Sequence, residues 1–227
     1  LGDVYKRQVC ASSGFNALKF LDLARLEKIT WYSGVPTMHQ AILLRANKNK
    51  EAAKNLNLRL IRSSSASLPP AVFKDLNEAF NCPVIEAYGM TEATHQMTSN
   101  PLPPKQQKAG FVGLPAGPEV CIMSENGDMM KQGEEGEVCI KGENVTLGYE
   151  NNEEANKTSF TNGWFRTGDQ GYFDEDGYLK ISGRLKEIIN KGGEKISPLE
   201  VDNVLMDHSL IDPVSYTHLR AHETVMN

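Results

Sequence analysis

Cysteine is scarce in this chain. Only four stand among 227 residues, at Cys10, Cys82, Cys121 and Cys139, and no two form a CxxC pair. That spacing argues against a zinc site and against a dense disulfide framework, and it suits a reducing compartment. Long apolar runs are missing too: none approaches the ~20 residues that a membrane-spanning helix needs. Basic charge is not gathered anywhere. The formal net charge is −5 with no basic stripe, which argues against nucleic acid as a partner. Internal repeats and low-complexity tracts are also lacking. What remains is a chain long enough for more than one compact unit, at ~100–200 residues per domain.

The first half alternates between strand and helix signals. Leu18, Leu21, Leu26 and Ile29 recur near helical spacing, predicting a helix over 15–29. The aromatic run 31–33 predicts a strand end, and Pro36 suits the first turn of a helix reaching about residue 46. Residues 58–62 predict a strand, 63–67 a small-residue turn, Pro69 and Pro70 the start of a helix through Phe80 with Val72, Phe73, Leu76 and Phe80 as its apolar positions, and 83–87 another strand. This alternation implies an α/β layer with a largely parallel sheet. The character changes after Asn100-Pro-Leu-Pro-Pro104. Short apolar runs at 119–123, 137–141, 171–173 and 178–182 follow, with hairpin signals at Asn126-Gly127 and Asp176-Gly177. They predict a small, mostly antiparallel β subdomain. Residues 187–190 predict a further strand, and 198–206 a helix with Ser197 as its N-cap.

The two ends have a peculiar relation. Residues 1–8 can be back-translated as CTC GGA GAT GTG TAT AAG AGA CAG, and the opposite strand, shifted in frame, encodes Val214 to Arg220. One DNA element read from both strands accounts for both termini, as a transposon-type sequencing adapter would. The expected organisation is therefore adapter peptide at 1–8, an α/β unit at 9–108, a β unit at 109–185, the truncated start of another domain at 186–213, and adapter peptide at 214–227. His218 and His222, an apparent i, i+4 metal pair, are set aside with it.

Four motifs carry the chemistry, in this order: Tyr88-Gly-Met-Thr-Glu92-Ala-Thr-His95, Gly136 to Gly142, Gly163-Trp-Phe-Arg-Thr-Gly-Asp169, and Gly183-Arg-Leu-Lys186 leading into Lys191-Gly-Gly-Glu-Lys195. A strand end offering an aromatic face, a glycine, a hydroxyl and a carboxylate suits a nucleotide and its metal. Read alone, each element has a plainer use. Thr91 and Glu92 suit a helix N-cap and first turn, Tyr88 a core, Asp169 and Arg184 each a surface ion-pair partner, and Gly192 with Gly193 a tight turn.

Together the motifs resemble the adenylate-forming superfamily of acyl-CoA synthetases, over essentially all of residues 9–212. The resemblance implies an α/β fold: the end of a large N-terminal adenylate-forming domain, with a helix-flanked parallel sheet and a small antiparallel β subdomain, then the first part of a C-terminal α+β domain. It implies ATP, Mg2+ and coenzyme A as cofactors. It places adenine between the Ser65-Ala66-Ser67 turn and the Glu86-Ala87-Tyr88-Gly89-Met90 segment; such families usually carry glycines where this turn has serines and an alanine. It gives Thr91 to phosphate and Glu92 to magnesium, Asp169 to the ribose hydroxyls, and Arg184 to ribose or phosphate. Lys186 falls at the hinge on which the small domain swings, counted with Thr91 and Glu92 as catalytic. Gly192 and Gly193 would flank the pantetheine arm.

Within that family the runs 88–104 and 35–40 look most like the oxalate–CoA ligases. Ser63, Ser65 and His95 match positions implicated there in binding the acid, so oxalate is the expected small carboxylic acid partner. A fatty-acid or 4-coumarate-type CoA ligase is the alternative within the family, and a non-catalytic nucleotide-binding relative the alternative outside it. The family's upstream phosphate loop and its C-terminal catalytic lysine do not occur in this chain, so the fragment itself is expected to be inactive. A cytoplasmic or peroxisomal setting is expected.

Overall fold

The computed structural model describes residues 8–191 and 194–206; the adapter calls at 1–7 and 214–227 and the Gly192-Gly193 call lie outside them. The first layer contains α1 (Phe20–Leu26), β1 (Trp31–Gly34), α2 (Pro36–Lys48), α3 (Lys50–Lys54), β2 (Leu60–Ser63), α4 (Pro70–Phe80) and β3 (Val84–Tyr88). Strands β1, β2 and β3 pair in parallel. β4 (Thr98–Ser99) and β5 (Leu114–Pro115) extend the same sheet in antiparallel fashion.

Helix α1 is shorter than its periodicity predicts. Leu21 and Ala24 are buried, but Leu18 and Leu26 stand 63% and 75% exposed, so the ends of the apolar stripe have nothing to pack on. Helices α2 and α4 follow their sequence signals closely. Each starts with proline in its first turn, where the missing N–H costs nothing. α2 turns His39, Ile42, Leu43 and Ala46 inward, and α4 turns Val72, Phe73, Leu76 and Phe80 inward. Asn81, in the left-handed region at φ 49°, ends α4. The apolar side chains among these meet Ile61, Leu68 and Val84 in one core, where burial of each large side chain stabilises by ~1.5–3 kcal/mol.

The second layer is antiparallel. It contains β6 (Glu119–Met123), β7 (Gly136–Lys141), α5 (Glu153–Ser159), β8 (Phe160–Thr161), β9 (Trp164–Phe173) and β10 (Leu179–Arg184), in the spatial order β10-β9-β7-β6 with β8 on β9. Strand β9 is much longer than the predicted 171–173, and takes in Trp164 to Asp169 of the Gly163 to Asp169 motif. Asp176-Gly177 forms the β9–β10 turn. Asn126-Gly127 closes a tight turn after β6, before the Met123–Met129 bridge. A short β11 (Ile189–Lys191) and β12 (Glu194–Ile196) hairpin and α6 (Pro198–Met206) complete the described chain. The Ser197 backbone carbonyl accepts the first N–H groups of α6. Its hydroxyl, however, donates to the Ser182 carbonyl rather than capping the helix.

The layers are stitched by backbone. The Val112 N–H donates to Leu179 O at 2.8 Å, and the Leu179 N–H to Gly113 O at 2.8 Å. Tyr88 packs against two apolar clusters at this seam, one around Met97, Ile140 and Phe165, the other around Ile122, Val138 and Leu179. Among the described residues no helix is long and apolar enough to cross a membrane.

Candidate active site

The C-terminal ends of β2 and β3 open onto the seam. Between them and the end of β10 lies a cleft of about 550 Å³, a volume ordinary for small-ligand sites. One wall comes from the parallel layer: Ser65, Ala66 and Ser67 of the turn after β2, then Ala87, Tyr88, Gly89 and Met90. The other comes from the antiparallel layer: Asp169, Ile181, Gly183 and Arg184. Val35, Thr37 and Gln40 lie at one end, and Pro198, Leu199 and Asp202 at the other.

The turn after β2 has no glycine, yet Ser65 holds φ 75°. A serine therefore takes the left-handed conformation that glycine takes without strain. Glu86 fixes this turn from behind. Its side chain is buried; one carboxylate oxygen accepts the Leu68 N–H at 3.3 Å and the other the Gly110 N–H at 2.9 Å. Burial pushes its pKa up to about 8 against the two N–H groups, which favour the charged form. Glu86 was expected among the nucleotide-binding residues. It faces backbone and does not line the cleft.

Gly89 follows from a close approach. A Cβ there would sit 1.3 Å from the His95 carbonyl oxygen, so no side chain fits while the 90–95 turn folds back. That turn is a 3-10 helix at Thr91–Ala93, with the His95 N–H returning to Met90 O.

Asp169 reaches the cleft through an irregularity in β9. Val138 of β7 faces three residues, Thr167 to Asp169, because the register passes from Cys139–Arg166 to Glu137–Gln170. Gly168 takes φ 75° in this bulge, and Glu137 accepts its N–H at 2.9 Å. Bulges re-aim side chains, and here the re-aimed group is a carboxylate. Tyr88 donates its hydroxyl to Asp169 Oδ2 at 2.5 Å, and Arg184 donates Nε–H to Oδ1 at 2.9 Å. Burial, then the Asp169 charge, pushes the Tyr88 hydroxyl well up, so it stays protonated and donating. The bond to Asp169 likewise raises Arg184.

The other predicted residues lie off the cleft. Thr91 is exposed and Glu92 half-buried in the 3-10 turn. Glu92 accepts the Tyr149 hydroxyl at 2.8 Å, a partner no local pattern reveals. Lys186 is exposed in the 3-10 turn Leu185–Glu187, just past Arg184. Ser63 is buried with its hydroxyl unpartnered, and His95 is exposed. The structure thus brings together Ser65, Ala66, Ser67, Ala87, Tyr88, Gly89, Met90, Asp169 and Arg184, and leaves Ser63, Glu86, Thr91, Glu92, His95 and Lys186 outside that cleft. Sequence reasoning missed Tyr149, Glu137 and Asn144. Asn144 clamps the 91–96 segment by donating to Ala93 O at 2.8 Å and accepting the Thr94 hydroxyl on its own carbonyl at 2.8 Å.

A family model described as "AMP-binding enzyme" matches residues 7–150. The chain belongs to this family of AMP-binding enzymes. It is 54% identical over 199 residues to the oxalate–CoA ligase of Arabidopsis thaliana, covering 87% of this chain and 38% of that protein. It is 49% identical over 206 residues to the oxalate–CoA ligase of Saccharomyces cerevisiae, covering 90% and 37%. Its fold matches the O-succinylbenzoate coenzyme A synthetase (MenE) of Bacillus subtilis in complex with AMP at a TM-score of 0.79 and 32% identity, covering 92% of this chain and 42% of that one. The chain therefore spans well under half the length of the relatives it matches.

Proposed function

We propose that this chain is the central part of an ATP-dependent acid–CoA ligase, with oxalate as its acid. The observation that carries the ligase reading is the convergence in one cleft of the Ser65 to Ser67 turn, Tyr88 to Met90, and the Asp169–Arg184 pair. In such a reaction a carboxylate oxygen attacks the α-phosphorus of ATP, pyrophosphate leaves, and a thiol then displaces AMP from the acyl carbon. That chemistry asks for positioning and charge neutralisation.

Each residue has a part in this reading. The small side chains at Ser65, Ala66 and Ser67 leave a flat wall for a purine, with the Tyr88 ring for the opposite face. Asp169 keeps lone pairs free after accepting from Tyr88 and Arg184, so it accepts ribose hydroxyls. Arg184 uses only Nε–H on Asp169 and keeps its other donors for phosphate. Thr91 supplies a hydroxyl and Glu92, oriented by Tyr149, a carboxylate. One carboxylate together with substrate phosphates is a common way of holding Mg2+. Lys186 is the hinge of the following segment, and Gly192 with Gly193 would lie along the pantetheine of coenzyme A. The oxalate assignment is supported by the likeness to the two oxalate–CoA ligases; neither Ser63 nor His95 lines the cleft.

The test is thioester formation by the full-length protein offered oxalate, a medium-chain fatty acid and a hydroxycinnamate separately. Preference for oxalate is expected. Preference for either other acid would retain the ligase and discard oxalate. No thioester from any acid, with AMP still bound, would discard the ligase reading.

A further inference from the structure

Cys121 and Cys139, separated in sequence, are direct cross-strand partners in the antiparallel β6–β7 pair. Residues directly opposed in such a pair have Cα atoms ~4.5–5.5 Å apart, inside the ~4.4–6.8 Å range that a disulfide spans. Both cysteines are free, and both pack into the same cluster on one face of the sheet. Their surroundings differ. Cys139 is fully buried beside Met123 and Trp164, whereas Cys121 is half-buried at the margin of that cluster. Among the described residues no three His, Cys, Asp or Glu side chains gather to hold a metal.

We propose that Cys121 and Cys139 are a reversible two-electron oxidation site, closing to a cross-strand disulfide under peroxide. The Cys121 sulfur attacks one peroxide oxygen and breaks the O–O bond. This gives a sulfenic acid and a hydroxide that leaves as water with the Cys121 proton. The Cys139 sulfur then attacks the sulfenic sulfur, forming S–S and releasing hydroxide, which takes the Cys139 proton as a second water. Two thiols are oxidised and one peroxide is reduced. Cys121 is half-buried and Cys139 fully buried, so peroxide meets the Cys121 sulfur first. The second step is intramolecular and needs no solvent access to Cys139. The bond would tie β6 covalently to β7, whose other neighbour, β9, carries Asp169.

The experiment is peroxide treatment of the native chain, followed by intact mass, blocking of remaining thiols and tryptic mapping. Lys131 lies between the two cysteines, so trypsin separates their peptides unless sulfur joins them. The expected result is loss of two hydrogens, joined peptides carrying Cys121 and Cys139, a Cys82 that still alkylates after unfolding, and full recovery with dithiothreitol. Cys139→Ser should trap a dimedone-reactive sulfenic acid at Cys121, and Cys121→Ser should leave Cys139 unoxidised. Sulfinic acid at Cys121 with no joined peptides would overturn the proposal. So would crosslinking through Cys10 or Cys82 while Cys121 and Cys139 both remain thiols.

Discussion

The two walls of the cleft are made by different means. The parallel layer offers backbone and small side chains at strand ends, backed by an apolar core and one buried carboxylate, Glu86. The antiparallel layer offers charge, Asp169 and Arg184, delivered by irregular strand pairing. One wall is therefore vulnerable through shape and the other through electrostatics, and substitutions can separate them.

The largest effect is expected from Gly89→Ala. Its Cβ would overlap the His95 carbonyl, so the turn must open, at a cost of about 4 kcal/mol or more. Urea unfolding should show this together with loss of AMP binding. Leu76→Ala empties a fully buried core position of the same layer and should cost ~2–5 kcal/mol, with AMP affinity in the folded fraction little changed.

Asp169→Asn tests the other wall. It keeps the volume but removes the charge that Arg184 and Tyr88 address. AMP binding by calorimetry should weaken by about 1.5–3 kcal/mol, the worth of hydrogen bonds to a charged group, while the urea midpoint moves far less than for Leu76→Ala. Equal losses of stability and affinity would erase the contrast between the walls.

Glu86 gives a pH signature. Its pKa in the folded chain is about 8, against 4.5 for the ordinary carboxyl. The unfolded chain therefore binds fewer protons than the folded chain between those values, and stability falls as pH rises through that window. The slope is at most ~1.4 kcal/mol per pH unit from this group. Glu86→Gln should flatten the profile between pH 5 and pH 8; an unchanged profile would assign the slope elsewhere. The smallest effect is expected from Ser65→Gly, which relieves a left-handed serine and should raise stability by no more than ~1 kcal/mol.

Much of the first layer was legible because its helices obey local rules. Pro36 and the Pro69-Pro70 pair mark starts, and the α4 stripe at Val72, Phe73, Leu76 and Phe80 is the one that the core takes up. The second layer was less so. Its run at 171–173 was legible, but the strand starts at Trp164 and carries Gly168 within it. The motif residues Tyr88, Asp169 and Arg184 were visible, but not that they form a hydrogen-bonded chain. Tyr149 on Glu92, Gly110 on Glu86 and Cys121 opposite Cys139 depend on pairing between distant segments, which no local periodicity encodes. Ser63 and His95 show the converse: position in a motif did not bring them into the cleft.

Strand β10 also keeps a count. Its register on β9 passes from Ile181–Gly171 to Gly183–Gln170, so Ser182 is a supernumerary residue, and Arg184 falls opposite Asp169 because of it. Were Ser182 paired in the ladder, Gly183 would meet Asp169 and Arg184 would slip to Gly168; the bulge is slack that the strand takes up before the pair. Deleting Ser182 would straighten the strand and leave Arg184 opposite Asp169. Chains of this family should therefore tolerate loss of this one residue better than an added one between residues 181 and 184, which the bulge would have to absorb as well.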